Sequence, residues 1–255
     1  MEIKGEIEMG ILKSQLGIQS YCFRGFKENA VVAEKIKACG ASAIELCGVH
    51  ADFLSEESCD AALATYKAAG VEIVSIGVQG LCGNDAAERP FFEFVKKAGA
   101  KFMSVNFSPK ITADEFRKIE AMADEYDVNL GIHNHGGYHW LGSSEILRHI
   151  FSITSPRIGL TLDTAWAMDA GENPVKMIKE FGTRLHGLHL KDFIFDTARR
   201  PEDVVVGTGN LKLDEIATAL QEVNFAGFAV IEYEGDVENP VPALTKCVTN
   251  IKAAF

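Results

Sequence analysis

Eight short apolar runs recur along this chain at a nearly constant spacing, and that regularity is the strongest constraint on its fold. Each run has the length of a β-strand, and most are rich in Val, Ile, Leu or Phe. The runs cover residues 16–21, 42–46, 72–78, 101–107, 128–133, 158–163, 185–190 and 228–233. Successive runs begin about 26–31 residues apart, except that the last one follows after roughly 43 residues.

Stretches with helical periodicity fill the intervals between the runs. They include residues 28–40, 59–70, 113–127 and 173–182, and several of them end in Gly, a common C-terminal stop for helices. Eight strands alternating with helices predict an α/β protein that folds as a single (β/α)8 TIM barrel over residues 1–255, with an N-terminal extension at 1–14. An open doubly wound sheet is the alternative, but no Gly-rich phosphate motif follows the first run.

Composition excludes several classes of protein. A hydrophobic content of 47% over 255 residues supports one sizeable core. No apolar run reaches the roughly 18 residues of a membrane span. The formal net charge of −11 disfavours nucleic acids and anionic membranes as partners, because phosphate binding requires clustered Lys and Arg. Six scattered cysteines without CxxC spacing, and a start without the layout of a secretory signal, predict reduced thiols and a cytoplasmic protein.

Strand alternation predicts which side chains face the barrel axis. In the fifth run, Val128, Leu130 and Ile132 share one face, whereas Gly131 and His133 lie on the other. The other runs repeat this pattern, in which the inward face begins with small residues and ends with a polar one. The polar ends are Gln19, Glu45, Gln79, Asn106, His133, Asp163, His189 and Glu232. Because barrel enzymes build their active sites at the carboxyl ends of the strands, we predict that these side chains surround one site.

Four of these polar ends have the chemistry of metal ligands. His133, Asp163, His189 and Glu232 come from four consecutive strands, the fifth to the eighth. Neighbouring strands lie about 4.8 Å apart, so the four tips can meet around one divalent cation. Two imidazoles and two carboxylates suit Mn, Zn, Fe or Co better than Mg or Ca, and Mg stays among the candidates. The alternative is a hydrogen-bonded polar cluster without metal.

Four strand-end segments resemble those of a known family. They are "GIHNHGG" (131–137), "LTLDTAW" (160–166), "LHGLHLKD" (185–192) and "VIEYEGD" (230–236), and they are similar to motifs of the sugar phosphate isomerase/epimerase family in the xylose isomerase-like barrel superfamily. The segments "LGIQSYCFR" (16–24) and "VGTGNLKLDEI" (206–216) look similar to family segments as well. The resemblance implies one divalent metal held by Glu, Asp, His and Glu. Asp163, His189 and Glu232 match that set, whereas His133 replaces the first glutamate.

The resemblance also implies proton transfer next to a carbonyl, with an enediolate stabilised by the metal. Glu232 is the first candidate for the base, and His135, Glu45 and Lys191 are the other candidate catalytic groups. Lys191 has a rim salt bridge as its alternative role.

Four further residues are candidates for binding the substrate. Gln19, Gln79 and Asn106 offer side-chain amides that can bind sugar hydroxyls. Glu45 has the binding of a sugar hydroxyl as its alternative role. Trp166 replaces a histidine found in several family members, and it is expected to stack on a sugar ring or to pack in the core.

The expected function is a metal-dependent sugar isomerase or epimerase acting on a small-molecule sugar. Loss of one of two paired glutamates makes elimination a close alternative, catalysed by a dehydratase or lyase acting on a keto-sugar, an inosose or a 3-keto-glycoside. A non-catalytic sugar-binding barrel is a third reading. A DNA-repair endonuclease is disfavoured, because it needs several metals and a basic groove. The oligomeric state stays open, and a homo-oligomer is compatible with the sequence.

Overall fold

The structure is a computed structural model that describes residues 16–255. Eight parallel strands close into a barrel in which the first and last strands are hydrogen-bonded neighbours. The barrel strands are β1 (Gly17–Gln19), β2 (Ala43–Leu46), β3 (Glu72–Leu81), β4 (Phe102–Phe107), β5 (Asn129–His133), β6 (Ile158–Asp163), β7 (Leu185–Leu190) and β10 (Phe228–Ile231). The predicted single (β/α)8 barrel is therefore confirmed for the described residues, and the predicted extension at 1–14 lies outside them.

Helices follow the strands and cover the outside of the barrel. They are α1 (Asn29–Ala38), α2 (Glu56–Ala69), α3 (Asp85–Ala98), α4 (Ala113–Tyr126), α5 (Ser144–Ile153), α6 (Thr164–Asp169), α7 (Pro174–Phe181), α8 (Leu213–Glu222) and α9 (Val241–Ala254). Short 3-10 turns lie at Ser20–Phe23, Trp140–Gly142 and Gly182–Arg184. None of the helices within residues 16–255 has both the length and the hydropathy to cross a membrane. All six cysteines are free thiols, as predicted.

The long interval before the last barrel strand contains an antiparallel hairpin. Its strands are β8 (Asp192–Phe195) and β9 (Pro201–Val204). The Asp192 carboxylate accepts hydrogen bonds from the backbone N–H groups of Gly207, Gly209 and Leu211, at 2.8–3.0 Å. The "VGTGN" loop is thus anchored to the base of the hairpin by a buried carboxylate.

Small side chains line the middle of the barrel, and aromatic rings close its amino end. The rings of Phe102 and Phe228 lie 5.5 Å apart between their centroids. Higher up, the Ser104 and Thr161 hydroxyl oxygens lie 3.2 Å apart, within hydrogen-bond distance. Gly131 lies opposite Thr161, so close that an added Cβ would be 2.9 Å from the Thr161 backbone nitrogen. The narrow interior leaves room for large polar side chains only at the carboxyl end, which we call the mouth.

Strand β3 departs from the regular alternation of the other strands. Its pairing register with β4 shifts between Ile76 and Gln79. Gly77 still faces the interior, since a Cβ there would meet the Ser104 side chain. Beyond the shift, Val78 and Gly80 line a cavity at the mouth. The irregularity therefore brings Val78 and Gly80 to the cavity. Regular alternation had predicted that Gln79 would point to the mouth from this strand.

Replacing Gly131 by Ala should destabilise the barrel by about 1–3 kcal/mol, because the added methyl group clashes with the backbone of the neighbouring strand. Gly80→Ala is the matched control, since nothing lies within 4 Å of its added Cβ. Urea denaturation followed by circular dichroism measures both. Equal free energies of unfolding for the two variants would contradict the proposed tightness of the barrel interior.

Candidate metal centre

The four predicted ligands lie at the ends of four adjacent strands, β5, β6, β7 and β10. His133 and Asp163 are the last residues of their strands, His189 is the last but one of β7, and Glu232 directly follows β10. Hydrogen bonding in the barrel places these strands side by side. Each residue contributes one ligand atom, and the four atoms lie within 4.8 Å of one another. All four side chains are buried.

The four ligand atoms converge on one small volume. His133 Nε2 lies 3.0 Å from His189 Nδ1, which is 2.8 Å from Glu232 Oε2. The same His133 nitrogen lies 3.7 Å from Asp163 Oδ2 and 3.6 Å from Glu232 Oε2. The imidazoles therefore present one nitrogen each to a pair of carboxylate oxygens.

The two carboxylate oxygens of Asp163 have different surroundings, one at a helix end and the other in the cluster. Oδ1 caps helix α6 by accepting a hydrogen bond from the Trp166 backbone N–H at 2.8 Å. Oδ2 is buried and has no hydrogen-bond partner among the described residues. An unpartnered buried carboxylate oxygen is costly, and a cation would satisfy it.

The Asn134 side chain holds the ends of two neighbouring strands together. Its amide donates to the Asp163 carbonyl at 3.0 Å and accepts from the Asp163 N–H at 2.8 Å. This pair of bonds fixes the Asp163 backbone relative to His133. Asn134 was missed in the sequence analysis, although a polar residue on the apolar face of the strand was a signal for it.

His189 is oriented by a carboxylate behind it. Its Nε2 lies 3.1 Å from Glu45 Oε2, while Nδ1 points into the cluster. Glu45 is fully buried, and its oxygens also accept hydrogen bonds from the Gln19 amide and the Ser104 hydroxyl. Such a carboxylate–histidine arrangement fixes the ring and raises the basicity of the ligating nitrogen. Glu45 and Gln19, predicted as catalytic and substrate-binding residues, thus lie beneath the cluster.

The charges of the cluster compensate one another. Burial alone would lower the pKa of both cluster histidines, but neighbouring carboxylates outweigh it. Glu45 and Glu232 raise the pKa of His189 to about 10, and Asp163 and Glu232 raise that of His133. Burial would raise the pKa of Glu232, yet Lys191 and His189 hold it well below its ordinary value.

The donor set fits a divalent cation. Two neutral imidazoles and two carboxylates match the ligands that first-row transition ions and zinc bind in proteins. A cation bound here would contact the unpartnered Asp163 oxygen and the two imidazole nitrogens, which lie only 3.0 Å apart. Magnesium fits less well, because it prefers a set made of oxygens.

Lys191 is a buried ammonium beside the cluster. It is 1% exposed, and its Nζ forms an ion pair with Glu234 and lies 3.7 Å from Asp203. The ring centroid of Trp166 is 5.3 Å from Nζ, within the range of a cation–π contact. Burial opposes the charge, but Glu232 and Asp163 raise the pKa of Lys191 above its ordinary value. The predicted salt bridge is present, with its ammonium buried and its Glu234 carboxylate half-buried.

A hydroxyl anchors the backbone of Lys191. Thr164 Oγ accepts from the Lys191 N–H at 3.0 Å and donates to the Lys191 carbonyl at 2.6 Å. Thr164, Glu234 and Asp203 were all missed in the sequence analysis. Glu234 carries a weak signal in the "EYE" alternation, whereas Asp203 lies on β9, in an interval to which the sequence analysis assigned no role.

His135 packs against His133 and lines the mouth cavity. Its ring centroid is 4.7 Å from that of His133, 4.9 Å from that of His139 and 6.4 Å from that of Trp166. Burial, reinforced by the neighbouring imidazoles of His133 and His139, lowers the pKa of His135 to about 4. His135 Nδ1 is buried and has no hydrogen-bond partner among residues 16–255.

Trp166 forms a wall between His135 and Lys191. Its ring packs edge-on against Phe193 at 5.0 Å. Gly136 approaches this wall so closely that a Cβ there would lie 2.6 Å from the indole. Asn106 is half-buried and lines the mouth cavity with His135, whereas Gln79 is half-buried beyond the register shift of β3.

Comparisons with known proteins agree with this architecture. A family model described as xylose isomerase-like TIM barrel matches residues 110–249. An inosose dehydratase of Clostridium beijerinckii is 23% identical over 219 residues, covering 80% of this chain and 67% of that protein. Two solved structures share the fold. The IolI protein with a bound zinc atom has a TM-score of 0.74 at 15% identity, covering 94% and 99% of the two chains. The 3-keto-D-glucoside 4-epimerase YcjR of E. coli has a TM-score of 0.71 at 19% identity, with the same coverage.

Glu45→Gln should weaken the binding of a divalent metal about 10–100-fold, because a neutral amide supports the ligating nitrogen of His189 less well. The measurement is a competition titration against a chromogenic chelator with Zn and Mn. Glu88→Gln is the matched control, since Glu88 is equally buried but accepts hydrogen bonds from the loop at Cys82 and Asn84. An unchanged affinity in a folded Glu45→Gln variant would show that His189 needs no such support.

Proposed function

Because this chain belongs to the xylose isomerase-like TIM barrel family, we propose that it is a divalent-metal-dependent enzyme that removes a proton next to the carbonyl of a keto sugar. The observation that carries the proposal is the convergence of His133, Asp163, His189 and Glu232 with one carboxylate oxygen left unpartnered. When bound there, a divalent cation would polarise the carbonyl and stabilise negative charge on its oxygen.

His135 is the residue that we assign to proton removal. Glu232 is the other candidate, but its Oε2 is engaged by both cluster histidines. The His135 ring, in contrast, lines the mouth cavity, where a substrate can reach it. A base needs a free acceptor within hydrogen-bond reach of the proton that it takes, and His135 meets this requirement better than Glu232 does.

Lys191 supplies the complementary acid on the other side of the cluster. Its ammonium has three hydrogens, and Glu234 is its closest partner. The remaining hydrogens can bond a substrate oxygen and stabilise the charge that develops on it. Trp166 excludes water from one side of this ammonium, which strengthens its interaction with a substrate oxygen.

Elimination is the outcome that we place first. The base takes the proton on the carbon next to the carbonyl, the carbon–oxygen bond at the next carbon breaks, and the departing oxygen receives a proton from the acid. The products are an α,β-unsaturated ketone and water, or an alcohol where the departing group is an alkoxide. The inosose dehydratase relative supports this branch, as does His133, which stands where the family's ligand set has its first glutamate.

Epimerisation is the second candidate, and it shares the first step. The proton would return to the opposite face of the same carbon, so no carbon–oxygen bond breaks. The fold shared with the 3-keto-D-glucoside 4-epimerase favours epimerisation. Isomerisation or epimerisation is also the function expected first from the sequence. A non-catalytic sugar-binding barrel would bind a keto sugar without exchanging its hydrogens.

Asp163→Asn should abolish stoichiometric metal binding, because it replaces the unpartnered oxygen by an amide nitrogen while keeping an oxygen to cap α6. Inductively coupled plasma mass spectrometry after reconstitution with Zn, Mn or Co should find one ion per wild-type chain. Asp192→Asn is the control, a buried strand-end carboxylate outside the cluster. Equal metal content in the two variants would exclude the cluster as the metal site.

Reconstituted protein should exchange the hydrogen next to the carbonyl of an inosose for deuterium in D2O, with an absorbance increase from the unsaturated ketone. His135→Ala should slow the exchange about 10²–10⁴-fold, the usual contribution of a positioned acid or base. Mass spectrometry and ultraviolet absorbance measure the two events separately. Exchange without the absorbance change would favour epimerisation, and binding without exchange would leave only the non-catalytic barrel.

Lys191→Met should slow elimination by a similar factor of about 10²–10⁴, because it removes the ammonium while keeping the length of the side chain. Lys179→Met is the control, since Lys179 pairs with Glu222 on the surface. Metal content measured in both variants separates loss of the acid from loss of the cation. Unchanged turnover in metal-loaded Lys191→Met would assign Lys191 to the structure alone.

A further inference from the structure

A cavity of about 880 Å³ opens beside the metal centre, on the side of His135. Its walls come from the ends of β3 and β4 and from the loop that follows β5. Asn106 belongs both to this cavity and to the predicted polar strand ends. The His135 ring also lines the cavity and lies 4.7 Å from the His133 ring, so the cavity adjoins the centre. Its size is near the upper end for small-molecule sites, and the reacting part of a sugar needs only the metal centre.

Hydrogen bonds hold the walls of the cavity in place. The Trp140 indole N–H donates to the Phe107 carbonyl at 3.1 Å, which ties the loop after β5 to the end of β4. On the facing side, the buried Glu88 carboxylate accepts the N–H groups of Cys82, Gly83 and Asn84. The cavity is therefore formed before any ligand arrives, a property typical of binding sites.

The lining combines flat rings with a few polar groups. Tyr138 is fully exposed at the rim, and Trp140 and His139 add further rings. The Asn106 amide forms no hydrogen bond with other described side chains or backbone, so it can serve a ligand hydroxyl. Aromatic faces with isolated polar groups suit a ring that has apolar faces and polar edges, such as a pyranose or an aryl group.

We propose that this cavity is a second subsite that binds the ring attached to the keto sugar, so that the substrate is a keto-glycoside. The inference rests on the proposed function, since it assumes that the keto sugar lies at the metal centre. The attached ring is either a second sugar or an aryl group, and both present the flat, partly apolar face that the lining suits. Elimination from such a substrate would release this ring as an alcohol or a phenol.

Substitutions at Gly80 test whether the cavity binds the attached ring. This glycine lines the cavity, and nothing lies within 4 Å of an added Cβ, so a side chain can start there without a clash at its first atom. Gly80→Phe should place a ring in the cavity and obstruct it, whereas Gly80→Ala also replaces the glycine but leaves the cavity open. Calorimetry of the metal-loaded wild type and both variants then compares 3-keto-glucose, 4-nitrophenyl 3-keto-glucoside and a 3-keto-disaccharide, the two glycosides as both anomers.

At least one glycoside should bind the wild type and Gly80→Ala about tenfold or more tightly than 3-keto-glucose does, and Gly80→Phe should lose that gain while still binding 3-keto-glucose. The aryl and disaccharide arms identify the kind of ring. Equal affinity for all ligands in the wild type, or a gain that survives in Gly80→Phe, would overturn the subsite. Absence of deuterium exchange with every ligand would overturn the proposed function, and the binding comparison would still decide the subsite.

Discussion

The compensation of buried charge at the mouth of the barrel is the constraint on which the rest of this structure depends. Asp163, His189 and Glu45 are fully buried, and His133 and Glu232 are nearly so. Carboxylates in such a place are tolerated only with positive partners and complete hydrogen bonding. The surroundings supply most of both, since among the buried atoms of these groups only His133 Nδ1 and one Asp163 oxygen have no hydrogen-bond partner within the described residues. That remaining oxygen marks where a cation would complete the balance.

The hairpin inserted before the last strand belongs to the same balance. It supplies Asp203, which together with Glu234 faces the buried Lys191 ammonium. Burial raises the pKa of Asp203 to about 7 despite the nearby ammonium. Asp192, at the base of the hairpin, anchors the following loop through three backbone N–H groups. The insertion thus buries a positive charge beside the metal centre and holds it there.

The candidate metal centre and the adjoining cavity together form a candidate site with two parts of different chemistry. One part is ionic and small, and the other is aromatic, preformed and roomy. His135 lies between them, with its ring close to both His133 and His139. A substrate with a reactive carbonyl at one end and a flat ring at the other would use both parts, and binding at the cavity would orient the carbonyl toward the base.

The amino-acid sequence by itself determined the barrel, the inward face of most strands and the convergence of the four residues of the candidate metal centre. Those features follow from periodicity and spacing, because a parallel strand brings every second side chain to the axis and every carboxyl end to one mouth. Only the tertiary structure decided that Glu45 and Gln19 lie behind His189, that Asp203 and Glu234 flank Lys191, and that β3 turns Val78 and Gly80 to the cavity. Such roles depend on depth within the barrel, on a register shift and on contacts between distant segments, and no local pattern in the chain encodes them.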